Sequence, residues 1–202
     1  MHDVERFSRW APTYERHWMQ RFFFGPVQRA VLDLGAKEVP RPIAILDVGC
    51  GTGRLLREAE VRFPAAALEG VDAASGMIKH AQAVLPARSR IRFQVATAEK
   101  LPFAAGQFDL VFSTMTFHHW ADQERAMVEV ARVLKPEGRW VLADFIATGV
   151  LRYLRRALRL RQFPEQDHLQ AMLASAHLRV ITMRRVQQRI SLLAIGRSGQ
   201  AE

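Results

Sequence analysis

A chain of 202 residues, 49% of them hydrophobic, suits one globular domain with a sizeable core and needs no second one. Its single cysteine, Cys50, excludes an internal disulfide and fits a reducing compartment, and no apolar run approaches the length of a membrane-spanning helix. The formal net charge of +9 excludes little by itself, because such a surface attracts nucleic acid, anionic lipid and acidic substrates alike. The amino terminus, Met1-His-Asp-Val-Glu-Arg6, lacks an apolar run of signal-peptide form, so a cytoplasmic location is expected.

From Val4 to Lys37 the aromatics Phe7, Trp10, Tyr14, Trp18, Phe22, Phe23 and Phe24 run among Arg, Glu and His, a pattern expected of helices that cap a pocket. Residues 43–48 read as a buried parallel strand, broken by Gly49-Cys-Gly-Thr-Gly53 before a helix over about 54–62. Glycines in that turn supply positive φ and omit the Cβ atoms that would block a ligand. Cys50 reads as a small residue filling the tight loop, not as a nucleophile. A strand over 67–71 runs into Asp72, followed by a helix over 75–84, strands over 91–95 and 108–113, a helix over 122–134 and a strand over 139–145. Pro136 and Gly138 punctuate the turn before Arg139. Arg152, Arg155, Arg156, Arg159 and Arg161 then alternate with Leu151, Leu154 and Leu158 at helical spacing. A further helix is expected over 165–176, then strands over 178–186 and 190–195. The alternation of strands and helices predicts an α/β fold with a parallel sheet and helices on both faces. It divides a single domain into a cap (1–40), a core (41–145) and a substrate-side segment with closing strands (146–202).

Dinucleotide-binding proteins use a Gly-x-Gly-x-x-Gly turn, whereas here the spacing is Gly-x-Gly-x-Gly, preceded by Asp47. Downstream, in order, stand Ala67-Leu-Glu-Gly-Val-Asp72, Met77 at a helix start, Ala98-Glu-Lys-Leu-Pro-Phe103 and Gln107-Phe-Asp-Leu-Val-Phe-Ser113. The pair His118-His119 and the run Arg132-Val-Leu-Lys-Pro-Glu-Gly-Arg-Trp-Val-Leu142 complete the set. Over roughly residues 40 to 145 the chain thereby resembles the class I S-adenosylmethionine-dependent methyltransferases, in the small-molecule branch that includes the ubiquinone/menaquinone C-methyltransferases. The resemblance implies a three-layer Rossmann-like fold whose mostly parallel seven-stranded sheet closes with a C-terminal antiparallel strand pair. It implies S-adenosyl-L-methionine as cofactor and a small-molecule acceptor that is quinone-like, phenolic or otherwise lipophilic.

Methyl transfer from a sulfonium is one displacement on an already activated donor, so the protein chiefly aligns the reactants. The resemblance brings the turn residues Gly49, Cys50, Gly51 and Gly53 against the methionine and ribose parts of the cofactor. Asp72, with Ala73 beside it, can accept hydrogen bonds from both ribose hydroxyls, its alternative role being a cap for the helix at Ser75. Met77 is implied to lie beside the adenine, or else to fill core. Asp47 organises the turn or reaches the methionine amine. Where the family usually has an Asp, this chain has Thr97, whose hydroxyl can accept one hydrogen bond while the backbone of Ala98, next to Glu99, serves the ring. Tyr14, within Ala11-Pro-Thr-Tyr-Glu15, occupies the position of the family's Ala-x-x-Tyr-Asp signature, with Glu15 replacing the Asp. Ser113 and Thr114 end a strand near the expected methyl position. On the following loop His119 is the candidate base for a substrate hydroxyl or activated carbon, and His118 is grouped with the cofactor residues, unless the pair simply positions the loop. No metal is expected.

RNA methylation by way of the basic surface is a second reading. Base-amine enzymes usually carry an Asn/Asp-Pro-Pro-Tyr motif where this chain has Ser113-Thr-Met-Thr116, which argues against that chemistry and leaves other RNA positions open. A non-catalytic partner subunit that keeps the cofactor pocket is a third reading. Leu151–Arg161 reads as a solvated surface helix, with a peripheral membrane contact or a nucleic-acid footprint as alternatives. Oligomeric state is left open.

Overall fold

The computed structural model describes residues 24–147, 163–186 and 190–199. Tyr14 and the Leu151–Arg161 segment lie outside the described residues. In chain order the elements are α1 (Gly25–Glu38), β1 (Ala44–Val48), α2 (Arg54–Arg62), β2 (Ala67–Asp72), α3 (Ser75–Ala83), β3 (Ile91–Val95) and β4 (Phe108–Thr114). A 3-10 turn (Phe117–His119) leads to α4 (Gln123–Val133), β5 (Leu134–Asp144), α5 (Gln166–Ser175), β6 (Leu178–Val186) and β7 (Ile190–Arg197).

The strands form one sheet in the order β3-β2-β1-β4-β5-β7-β6. It is parallel from β3 to β5, and β7 and β6 close it antiparallel. This is the mixed three-layer sheet that the motif order implied. Side chains alternate between two cores because a strand has period two. Leu46, Val48, Val111, Leu142, Leu193 and Ile195 face the α4 and α5 side with Met127, Val130, Leu169 and Leu173. Ile45, Leu68, Leu110, Phe112, Val141, Leu192 and Ala194 face α1, α2 and α3 through Val27, Val31, Leu55, Leu56 and Ile78. With both faces covered, β1 and β4 read as nearly unbroken apolar runs. Full burial of each large aliphatic or aromatic side chain stabilises the fold by roughly 1.5–3 kcal/mol.

Two packing details fix the sheet's surroundings. The described end of the amino-terminal segment, α1, lies on the sheet face: Val27, Val31, Leu34 and Gly35 repeat on one helical stripe. A Cβ at Gly35 would come within 2.8 Å of the Phe112 ring, so that crossing needs the glycine. And β5 starts at Leu134, five residues before the expected strand, so Pro136 and Gly138 sit inside a bulge. Phe108 pairs with Leu134 and Leu110 with Arg139, which loops the extra residues out where proline's missing N–H costs the ladder nothing. The bulge is tied by Asp109, which accepts from Lys135 Nζ at 2.8 Å and from the amides of Ile43 and Ala44 at 2.9 Å each.

Candidate active site

Strand order reverses between β1 and β4, and the crevice outside the carboxyl ends of those strands is where open α/β sheets bind ligands. The loop leaving β1 there is pinned to β2: Gly49 N–H and Cys50 N–H both donate to the Val71 carbonyl, at 2.8 and 2.9 Å. Gly51 N–H donates to Asp72 Oδ2 at 2.9 Å, and Ala74 N–H donates to Asp72 Oδ1 at 2.8 Å. One carboxylate thus clasps the glycine turn and the start of α3 together. Gly49 and Gly53 are packing glycines, since added Cβ atoms would meet Thr116 Oγ1 at 2.0 Å and the Phe93 ring at 2.2 Å. Gly51 differs. It holds φ +53°, and a Cβ there would meet nothing within 4 Å, because it would project into the cleft.

Asp47 is only 2% exposed, and its Oδ1 has no hydrogen-bond partner among the described residues. Burial, reinforced by the charge of Asp72, pushes its carboxyl up to about 8. Asp72 is also raised by burial, against the pull of its two backbone hydrogen bonds from Ala74 and Gly51. A buried acid, Asp47, and a half-buried one, Asp72, beside an open backbone cradle suit a ligand that carries a cation and neighbouring hydroxyls. Val48, Ala73, Met77, Ala96, Thr97, Ala98 and Glu99 form one flank of the cleft, and Thr114, Met115, Thr116, His119, Trp120 and Ala121 form the other. The second flank is held in a strained turn. Met115 adopts φ +56°, a left-handed conformation rarely taken by a bulky residue, while its N–H donates to the Ala143 carbonyl at 2.8 Å.

A family profile described as a methyltransferase domain matches residues 46–142, which span this cradle, both flanks and the strands beneath. Residues 46–142 thus form a methyltransferase domain of the class I S-adenosylmethionine-dependent type. It is 35% identical over 168 residues to a malonyl-[acyl-carrier protein] O-methyltransferase of Geobacter sulfurreducens, covering 77% of this chain and 62% of that one. It is 37% identical over 142 residues to the demethylmenaquinone methyltransferase of Thermus thermophilus, covering 69% and 64%. The chain therefore spans just under two thirds of the length of these relatives. The crystal structure of a Pyrococcus horikoshii OT3 protein shares the fold, with a TM-score of 0.77 at 20% identity over 95% of this chain and 98% of that one.

S-Adenosylmethionine fits the residues present. Its ammonium and ribose hydroxyls match the unpartnered Asp47 oxygen and the Asp72 carboxylate, and Gly51 leaves the space it needs. Of the residues singled out in the sequence, Gly49, Gly51, Asp72, Ala73, Met77, Thr97, Ala98, Glu99 and His119 line the cleft. Glu99 does more than line it. Its Oε1 accepts from Ala121 N–H at 2.9 Å and Asp122 N–H at 3.2 Å, tying the two flanks together.

Five described residues expected at the cofactor do not line the cleft, the buried Asp47 and four others. The Cys50 side chain joins the core on the α1–α3 side, where burial raises its thiol well above the usual range. Gly53 meets the Phe93 ring and caps α2. Ser113 is fully buried and accepts a 3.1 Å hydrogen bond from Trp140 Nε1, because strand alternation turns it into the core and leaves Thr114 at the cleft. His118 turns away towards Asp144, its Nδ1 2.6 Å from Oδ1. Thr114, expected near the methyl position, does line the cleft, while Asp144 escaped the sequence reading. Thr114 Oγ1 is buried without a partner among the described residues. Asp144 is fully buried and ends an apolar strand with an acid, the same signal that singled out Asp72.

Proposed function

We propose that the chain transfers the methyl group of S-adenosylmethionine to a small acceptor with an apolar, quinone-like or phenolic body. The carrying observation is the cradle itself: Gly51 opens onto the cleft, the Asp72 carboxylate lines it, and Asp47, with one unpartnered oxygen, is buried next in the chain to the lining residue Val48. The cofactor supplies a methyl group made electrophilic by the sulfonium, so the chain's residues bind, orient and exclude water. Asp47 holds the methionyl ammonium, and its ionisation accompanies that contact. Asp72 keeps its backbone bonds to Gly51 and Ala74 and uses its remaining lone pairs on the ribose hydroxyls. Met77 and Ala98 flank the adenine, and Thr97 offers it one hydroxyl. The acceptor approaches from the Thr114–Ala121 flank. The named substrates of the relatives, a malonyl thioester and a demethylmenaquinone, mark two classes of acceptor to test.

The test is to incubate purified protein with S-adenosylmethionine carrying an isotopic methyl group and a cell extract, then fractionate. Label in a small apolar compound is expected. Label confined to RNA would replace this reading with the nucleic-acid one.

A further inference from the structure

Asp47 Oδ1 and Thr114 Oγ1 are both buried with no hydrogen-bond partner among the described residues. They stand on adjacent strands and on one face of the sheet. Asp47 on β1 pairs with Phe112 on β4, and Thr114 lies two residues beyond Phe112. Strand alternation therefore turns both side chains to the α1–α3 side, where Ile45, Leu110 and Phe112 pack, while Val48 and Ser113 turn the other way. Parallel neighbours lie about 4.8 Å apart and two residues advance about 6.6 Å, which sets the two positions roughly 8 Å apart on the diagonal. An α-amino acid head group, with a hydrogen bond of about 2.8 Å at each end, is of that span. Asp47 supplies an acceptor for its ammonium. Its carboxylate needs a donor aimed at it, because Asp47, Asp72 and Glu99 make the surroundings acidic. The glycine turn has spent most of its own donors: Gly49 N–H and Cys50 N–H on the Val71 carbonyl, Gly53 N–H on the Cys50 carbonyl and Gly51 N–H on Asp72. Thr114 lines the cleft, and its buried hydroxyl costs free energy until something takes it up.

We propose that the Thr114 hydroxyl donates to the methionyl carboxylate of S-adenosylmethionine, so that Thr114 and Asp47 hold the two ends of one zwitterion and the chain selects the carboxylated cofactor. The inference rests on the methyltransferase reading and adds a selectivity to it. Decarboxylated S-adenosylmethionine keeps the adenine, ribose, sulfonium and ammonium, and its methyl group is just as activated. It leaves Oγ1 buried and unpaired, so it binds more weakly. 5′-Methylthioadenosine lacks the whole amino-acid head, leaves Asp47 and Thr114 both unpaired, and binds more weakly still. Thr114 thus acts on which nucleoside the cleft admits and not on the displacement itself.

The test is calorimetry on the whole chain with those three nucleosides, for the wild type, Thr114→Val and Thr114→Ser. Valine keeps the branched shape and deletes the hydroxyl, whereas serine keeps the hydroxyl. The wild type should bind S-adenosylmethionine at least about tenfold more tightly than the decarboxylated form, in the range of a hydrogen bond to a charged group. Thr114→Val should lose at least about tenfold for S-adenosylmethionine and under about threefold for the decarboxylated form, while Thr114→Ser keeps most of the discrimination. Equal losses on both nucleosides, as a merely structural threonine would give, or no loss on either would overturn the proposal. So would unchanged affinities with a lowered kcat, which would assign the hydroxyl to the acceptor. The wild type alone separates the failures: equal affinity for the carboxylated and decarboxylated forms sinks this inference only, while no binding of S-adenosylmethionine sinks the reading beneath it.

Discussion

An acid enclosed as fully as Asp47, with one oxygen unpartnered, loses its proton late. Burial first, and the charge of Asp72 second, raise it from 3.8 to about 8. Between those two values the folded, ligand-free protein binds a proton that the unfolded chain has released, so this group makes stability fall as pH rises from about 4 to 8. Asp47→Asn removes that slope. At pH 8 the variant should be more stable than the wild type without ligand, by on the order of a few kcal/mol, as read from thermal melts across pH. Cofactor binding should respond in the opposite sense, because docking an ammonium on Oδ1 favours the ionised acid. Calorimetry at pH 7 in buffers of different ionisation enthalpy should therefore find a proton released on binding by the wild type and none by Asp47→Asn. At Gly51 a valine would fill the cradle and bear left-handed strain of roughly 1–2 kcal/mol. Affinity for S-adenosylmethionine should fall at least about a hundredfold, roughly 2.7 kcal/mol. Gly106→Val is the control: it has φ +64° and open space but does not line the cleft, so it should carry similar strain and leave affinity unchanged.

At the scale of elements, α4 is what stiffens the loop below the adenine flank. Arg132 near its end donates to the Phe103 carbonyl at 2.7 Å and the Leu101 carbonyl at 3.0 Å, while Glu129 accepts Leu101 N–H at 2.9 Å. The two side chains also pair with each other at 2.7 Å. The Arg132 hydrogen bond is the main reason that the Glu129 carboxyl lies below its usual range. A lowered acid stabilises the fold above its ordinary titration range, and that contribution fades as pH falls through the folded value. Arg132→Met should cost about 1–2 kcal/mol and speed amide exchange across residues 98–103, measured by hydrogen exchange, because two carbonyls lose a charged donor. At the other end of α4, the Asp122 side chain accepts the Arg125 N–H at 3.0 Å and Glu99 fixes the residues before it. Both flanks of the cleft thus lean on one helix.

For the whole molecule, the sheet brings a turn after β1, an acid ending β2 and a loop after β4 to one edge, and a ligand seated there touches all three. Binding to the folded state alone stabilises by RT ln(1 + [L]/Kd), about 2.7 kcal/mol at a hundredfold excess over Kd. For a chain of this size S-adenosylmethionine should raise Tm by about 5–10 °C at that excess, and Gly51→Val should abolish the shift. Among the described residues no helix is long and apolar enough to cross a membrane. The surplus of positive charge remains a whole-molecule property with its own measurement: RNA retention on filters would weaken steeply with salt.

How much could be read before the fold was known follows from the range of the forces involved. The turn at Gly49–Gly53, the alternation of strands and helices and the bounds of β3, α2 and β6 were legible in the sequence, because burial at period 2 or 3.6 and the loss of Cβ atoms leave their mark within a few neighbouring positions. The start of β5 was not, since Pro136 and Gly138 look like a turn until Asp109, on another strand, ties the bulge with Lys135. Nor could the neighbours Ser113 and Thr114, or His118 and His119, be told apart by type: one of each pair faces the core or Asp144, and the other faces the cleft. The sequence by itself determined the class of fold and the place of the glycine turn after β1, which depend on local backbone geometry. Only the tertiary structure decided which acid meets which ring, because Asp144 and His118 are 26 residues apart and become neighbours solely through the pairing of β4 with β5.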